Sequence, residues 1–152
     1  MSALHHLCEL IRDRKAGISI AAAFAMTMLI GAAALAVDVG SLYLDRRKLQ
    51  GIADAAALAA AGRPGEERVA AERIIAANCN CTIRIAELAT GHYAADRTVA
   101  ADRRFTPGGT SPNAVRIVLH RDRPLYFGRA LTRRNESVIA ASATGARRGY
   151  AA

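Results

Sequence analysis

The feature that most constrains this chain is a run of 21 residues, Gly17 to Val37, without a single charge. At 1.5 Å per residue, a helix over this run measures about 31 Å, which matches a bilayer hydrocarbon core of roughly 30 Å. A core helix of a soluble domain keeps a polar face. This run has only Ser19 and Thr27, whose hydroxyls can bond back to the helix's own carbonyls. The stretch is rich in Ala, so insertion rests on Ile18, Ile20, Phe24, Leu29, Ile30, Leu35 and Val37. At about −0.3 to −0.6 kcal/mol each, these seven supply roughly −2 to −4 kcal/mol, partly offset by Gly17 and Gly31. The run is therefore expected to span a membrane over residues 17–37, with residues 1–16 before it. A cleavable signal peptide is the competing reading, because Ala34-Leu35-Ala36 fits a small-x-small cleavage site. Against it, the apolar run is longer than a usual signal segment and helical character continues past the supposed cut.

From Asp38 to Ala61 there is no Pro, and Leu42, Leu49, Ile52, Ala53, Ala56 and Ala60 recur at helical spacing. An unbroken helix from Gly17 to Ala61 is about 68 Å long, so residues 38–62 read as a helical extension or stalk. Gly62-Arg63-Pro64-Gly65 stops it. A second helix is expected over roughly Glu66–Ala77, ended by Asn78. Beyond Asn78 the period shortens to two. Thr82–Glu87 and Val115–Leu119 alternate as strands, Thr106–Asn113 is turn chemistry, and Ser137–Gly145 reads as a closing strand. Pro124–Leu131 reads as a short helix with Pro in its first turn. The expectation is an α+β fold: a long N-terminal helix, then residues 63–152 as a small exported domain. That domain would hold about four antiparallel strands packed on the second helix.

The net charge is +8, with 21 Lys and Arg against 13 Asp and Glu. Arg46-Arg47, Arg103-Arg104, Arg133-Arg134 and Arg147-Arg148 are scattered, with no basic helix. Four Tyr, three Phe and no Trp leave few stacking platforms for bases, so nucleic acid is not the expected partner. A basic soluble domain that binds nucleic acid is the least supported alternative. His5, His6, His92 and His120 lie apart, without metal-ligand spacing, and no Gly-rich loop opens a helix after a strand. No catalytic residues, metal, cofactor or small-molecule substrate are expected, and an enzyme is not the favoured reading. Cys8 lies before the apolar run; Cys79 and Cys81 lie after it and read as two small residues in a loop.

The order of motifs resembles a known family. The apolar span, Leu35-Ala-Val-Asp38-Val-Gly40, Tyr43, Arg46, Leu49-Gln50 and Ala53-Asp54-Ala-Ala-Ala-Leu58-Ala59 resemble the Tad (tight adherence) pilus-assembly TadE/TadG-like N-terminal family. Members begin with a basic pair and Gly before one transmembrane helix, as Arg14-Lys15-Ala16-Gly17 does. Asn78, Asn113-Ala-Val-Arg116, Pro124-Leu-Tyr-Phe127 and Ile139-Ala-Ala-Ser-Ala143 are similar to the family's small exported domain. The resemblance implies a non-enzymatic component of Flp-type pilus assembly or secretion, either a scaffold or a minor pilin-like subunit. It does not extend to prepilin processing: the residue five places beyond Gly17 is Ala22, where a processed prepilin carries Glu. A periplasmic or secreted binding protein, released by cleavage near Ala36, is the alternative.

Three positions form a small-x-x-x-small stripe, Ala32, Ala36 and Gly40, of the kind that lets helices approach closely in lipid. With Asp38 they are the expected helix-packing site, and the partners would be other anchor helices and the bilayer itself. Asp38 lies one residue past the apolar run. It would either meet interfacial water or pair with a cation on a neighbouring anchor helix. Asp45-Arg46-Arg47-Lys48 reads as a solvated or headgroup-facing collar. Three Lys or Arg lie on each side of the span, those before it closer. The count is nearly tied, but the closer cluster and the larger domain beyond the span favour the N-terminus inside. The resemblance implies a bacterial inner membrane, with the N-terminus cytoplasmic and the C-terminal domain periplasmic.

Overall fold

The computed structural model describes residues 14–128 and 136–147. The first element, α1, is one uninterrupted helix of 48 residues, Arg14–Ala61, about 72 Å long. Nothing in the sequence breaks it. Its glycines at 17, 31, 40 and 51 have open space around them, and no Pro occurs before Pro64. The helix ends at a tight reversal in which the Arg63 N–H donates to the Ala60 carbonyl at 3.1 Å. Gly65 takes φ +87°, the left-handed conformation that a side chain would resist. Its N–H donates to Glu67 Oε1 at 2.9 Å, and that bond holds the Glu67 carboxyl below the usual carboxylate range.

The second helix, α2 (Glu67–Asn78), runs back along α1 and buries Ala70, Ala71 and Ile75 against it. Asn78 caps the end, its amide donating to the Ile74 carbonyl at 2.9 Å. Immediately after, Cys79 and Cys81 are joined by a disulfide, Cα to Cα 5.1 Å. They are thus not the two unlinked loop residues that their spacing suggests.

Four antiparallel strands follow: β1 (Arg84–Tyr93), β2 (Phe105–Pro107), β3 (Ala114–Pro124) and β4 (Glu136–Ala146), in the order β2-β1-β3-β4. β1 and β3 pair from Arg84↔His120 to Gly91↔Ala114, with a bulge between Ile85 and Glu87. β3 and β4 pair along their whole length, from Ala114↔Ala146 to Pro124↔Glu136. The α+β class is as the sequence implies, but three details differ. Thr106 and Pro107 belong to a strand, β2, rather than to a turn. Pro124 is the last residue of β3, not the first turn of a helix; of that expected helix Gly128 is helical, and residues 129–131, like residues 1–13, lie outside the described residues. Most importantly, the sheet lies on α1, not on α2.

The core explains this choice. Leu49, Ala53, Ala56, Ala57, Ala60 and Ala61 of α1 form one cluster with Val115, Ile117 and Leu119 of β3 and Ile139, Ala141 and Ala143 of β4. Residues 49–61 are therefore one wall of the domain core rather than a stalk standing clear of it. A wall of Ala brings backbones close. A Cβ at Gly145 would strike the Ala57 carbonyl and the Leu58 nitrogen, so glycine is the residue that lets β4 lie flat on the helix.

Candidate functional site: the junction of helix and sheet

The inward face of β3 changes character along its length. Val115, Ile117 and Leu119 are apolar, and the next two residues of the same register, Arg121 and Arg123, are basic. The stripe of α1 facing them changes in step. Leu49 and Ala53 give way to Asp45 and then Asp38, seven residues apart and so on one helix face.

Asp45 is only 8% exposed. Its carboxylate meets Arg123 Nη2 at 2.6 Å and Arg121 Nη1 at 3.8 Å. Two guanidinium groups on one carboxylate match the charge that burial would otherwise leave uncompensated. Asp45 is therefore not part of a solvated collar. Arg46, Arg47 and Lys48 are exposed, but Asp45 points inward.

Asp38 is 5% exposed, and its partners are backbone groups. The N–H of Tyr126 donates to Oδ1 at 3.0 Å, that of Phe127 to Oδ2 at 3.0 Å and to Oδ1 at 3.2 Å, and that of Gly128 to Oδ2. Three successive N–H groups converging on one carboxylate form an anion-binding concavity. The turn from Leu125 to Gly128 is thus pinned to α1 at the end of its apolar run. Gly128 fits the spot because a Cβ there would sit 3.2 Å from both Asp38 Oδ2 and Leu125 Cδ1. Hydrogen bonds to a charged group contribute about 1.5–3 kcal/mol each, so this contact outweighs an ordinary surface one.

The predicted packing site does not come together on one face. Residues 36 and 40 lie about 200° from residue 38 around a helix of 100° per residue. Asp38 accordingly faces the sheet, while Ala32, Ala36 and Gly40 are exposed on the opposite side. Asp38 binds its own chain, and the stripe is left uncovered. Sequence reasoning missed Arg121 and Arg123. The available signal was the continuation of the Val115-Ile117-Leu119 alternation into two inward basic residues opposite an i,i+7 pair of acids.

Elsewhere the structure offers little chemistry. An open groove of about 820 Å³ beside the Cys79–Cys81 disulfide is lined by Arg68, Glu72 and Arg84, among others. Arg68 and Glu72 pair at 3.6 Å, and Arg84 pairs with Asp122 at 3.1 Å. Among the described residues no group of His, Cys, Asp and Glu could hold a metal ion.

The class that these features define is a small α+β domain built onto a long apolar helix, one that suggests a single-pass membrane anchor. Two family models match the chain: a Flp pilus-assembly TadE/G-like family over residues 16–63, and a Tad-like Flp pilus-assembly family over residues 48–144. The chain belongs to this Tad-like family of Flp pilus-assembly proteins, as the ordered motifs implied. No curated protein and no solved structure matches it.

Proposed function

We propose that the protein is a non-enzymatic component of the Flp pilus-assembly machinery, held in the bacterial inner membrane by residues 17–37. On this reading its N-terminus is cytoplasmic, its sheet domain is periplasmic, and it acts as a scaffold or minor pilin-like subunit. The observation that carries the proposal is the single helix α1, which is both the apolar membrane-length segment and a wall of the folded core. A flexible tether would leave the domain free to swing. Here the domain's position is tied to that of the span, which suits a part that must present one surface to assembly partners. The uncovered stripe Ala32, Ala36 and Gly40 supports packing against other anchor helices, since close backbone approach drives association in lipid.

The test is fractionation combined with co-purification. The full chain should stay with membranes through alkaline carbonate washing. Replacing Ala36 and Gly40 together by Ile should reduce recovery of other assembly proteins without reducing membrane level. A soluble form about 36 residues shorter would instead establish the released binding protein. Recovery in sheared pili would assign the minor-subunit role, and its absence there the scaffold role.

A further inference from the structure

The described residues include six aromatic rings, and three of them lie along the stretch where α1 leaves its apolar run. Tyr126 and Phe127 project from the turn pinned to Asp38 and are 53% and 50% exposed; Tyr43 is exposed as well. Aqueous solvent alone gives no reason to hold two adjacent large rings outward on a turn whose backbone is so firmly fixed.

The heights along the helix supply a reason. Asp38 lies one residue, about 1.5 Å, beyond Val37. The headgroup layer on each side of a bilayer is roughly 5–8 Å thick. The backbone of residues 126–127 lies 3.0–3.2 Å from the Asp38 carboxylate, so both rings start from the level of that layer. Tyr43 is five residues on, about 7.5 Å further along, and about 140° around the helix from Asp38. It marks the outer edge of the same layer on the opposite side. Aromatic side chains favour this zone because the ring is apolar and the Tyr hydroxyl remains wet.

We propose that the Leu125–Gly128 turn is a second membrane contact, with Tyr126 and Phe127 seated in the lipid headgroup layer of the bilayer that α1 crosses. This rests on the reading of α1 as the membrane span. The Asp38 carboxylate is a positioning group: it holds the turn level with the interface and so fixes the standoff and tilt of the sheet domain. A buried, backbone-bound acid beside the end of the span, a costly position for a passive tether, then has a defined task.

The chain contains no Trp, so single-Trp variants give an unmixed signal. The full-length protein is reconstituted in vesicles of phosphatidylethanolamine and phosphatidylglycerol carrying quencher either on the headgroup or midway down the acyl chain. Phe127→Trp should emit at shorter wavelength than Val69→Trp in the same vesicles and be quenched chiefly by the headgroup label. Ile30→Trp, about 10.5 Å inside the end of the span and exposed, should be quenched chiefly by the acyl-chain label. Val69→Trp, on exposed α2, should respond to neither. If Ile30→Trp is quenched while Phe127→Trp behaves like Val69→Trp, the second contact is overturned and the span stands. If Ile30→Trp is not quenched, the span itself fails, and the contact with it. Adding Asp38→Ala to Phe127→Trp should lower headgroup quenching while Ile30→Trp quenching is unchanged. Undiminished quenching there would overturn the role given to Asp38.

Discussion

Between Gly17 and Val37 the large side chains of α1 face outward, with Phe24 67% and Leu29 66% exposed. Between Leu49 and Ala61 the same helix buries a face made of Leu49 and small residues, with Ala53, Ala56 and Ala60 at 0%. On the proposed reading the difference is one of solvent. In the proposed arrangement lipid surrounds the first half, and lipid tails are as apolar as Leu, so long side chains gain nothing by turning inward. The second half packs against the sheet. There Ala permits an approach so close that β4 needs glycine at position 145. Apolar character alone therefore does not say which half of this helix carries the core.

The strongest way to break the comparison is to remove the packed half. A chain starting at Pro64 lacks Leu49, Ala53, Ala56 and Ala60, and should melt broadly by calorimetry or circular dichroism, without a cooperative transition. A sharp melt would show that the sheet and α2 complete a core without α1. Gly145→Val attacks the same wall more locally. Its side chain meets backbone at Ala57 that no rotamer change can relieve, so a loss of about 3–4 kcal/mol is expected in denaturant unfolding.

Asp45→Ala should cost somewhat less. It leaves Arg121 and Arg123 without their acid, and their side chains are 17% and 22% exposed. Breaking a fully buried pair costs 3–5 kcal/mol, and water access here lowers the expected loss to about 2–3 kcal/mol. Asp45→Asn should recover part of it by keeping hydrogen bonds to the guanidinium groups. The smallest effects compare the two halves directly. Ala53→Leu should overpack the core by about 2 kcal/mol. Leu29→Ala should leave domain unfolding within about 0.5 kcal/mol of the parent and weaken only membrane insertion. Equal effects of the two substitutions on domain stability would refute the division of α1.

Much of the molecule is local and therefore legible in the chain. The uncharged run, the helical spacing of Leu49, Ala53, Ala56 and Ala60, the Gly-Arg-Pro-Gly stop and the alternation of Val115, Ile117 and Leu119 each report on their own neighbourhood. A period of 3.6 or 2 is set by backbone geometry within a few residues, and turn residues act on their own φ. These signals sufficed for the α+β class, the end of α1 and the order of motifs shared with the family.

What tertiary structure decided is which faces meet. In an Ala-rich helix many faces look alike, so nothing local states that the sheet lies on α1 rather than α2. Asp38 and Asp45 read as residues turned to water, headgroups or another helix, because their partners lie far along the chain. Those partners are the N–H groups of residues 126–128 and the guanidinium groups of Arg121 and Arg123. A carboxylate's environment is a sum over everything brought near it in space. Loop closure over more than 70 residues leaves no periodic trace in sequence, and only the folded chain places those donors within hydrogen-bonding distance of the two acids.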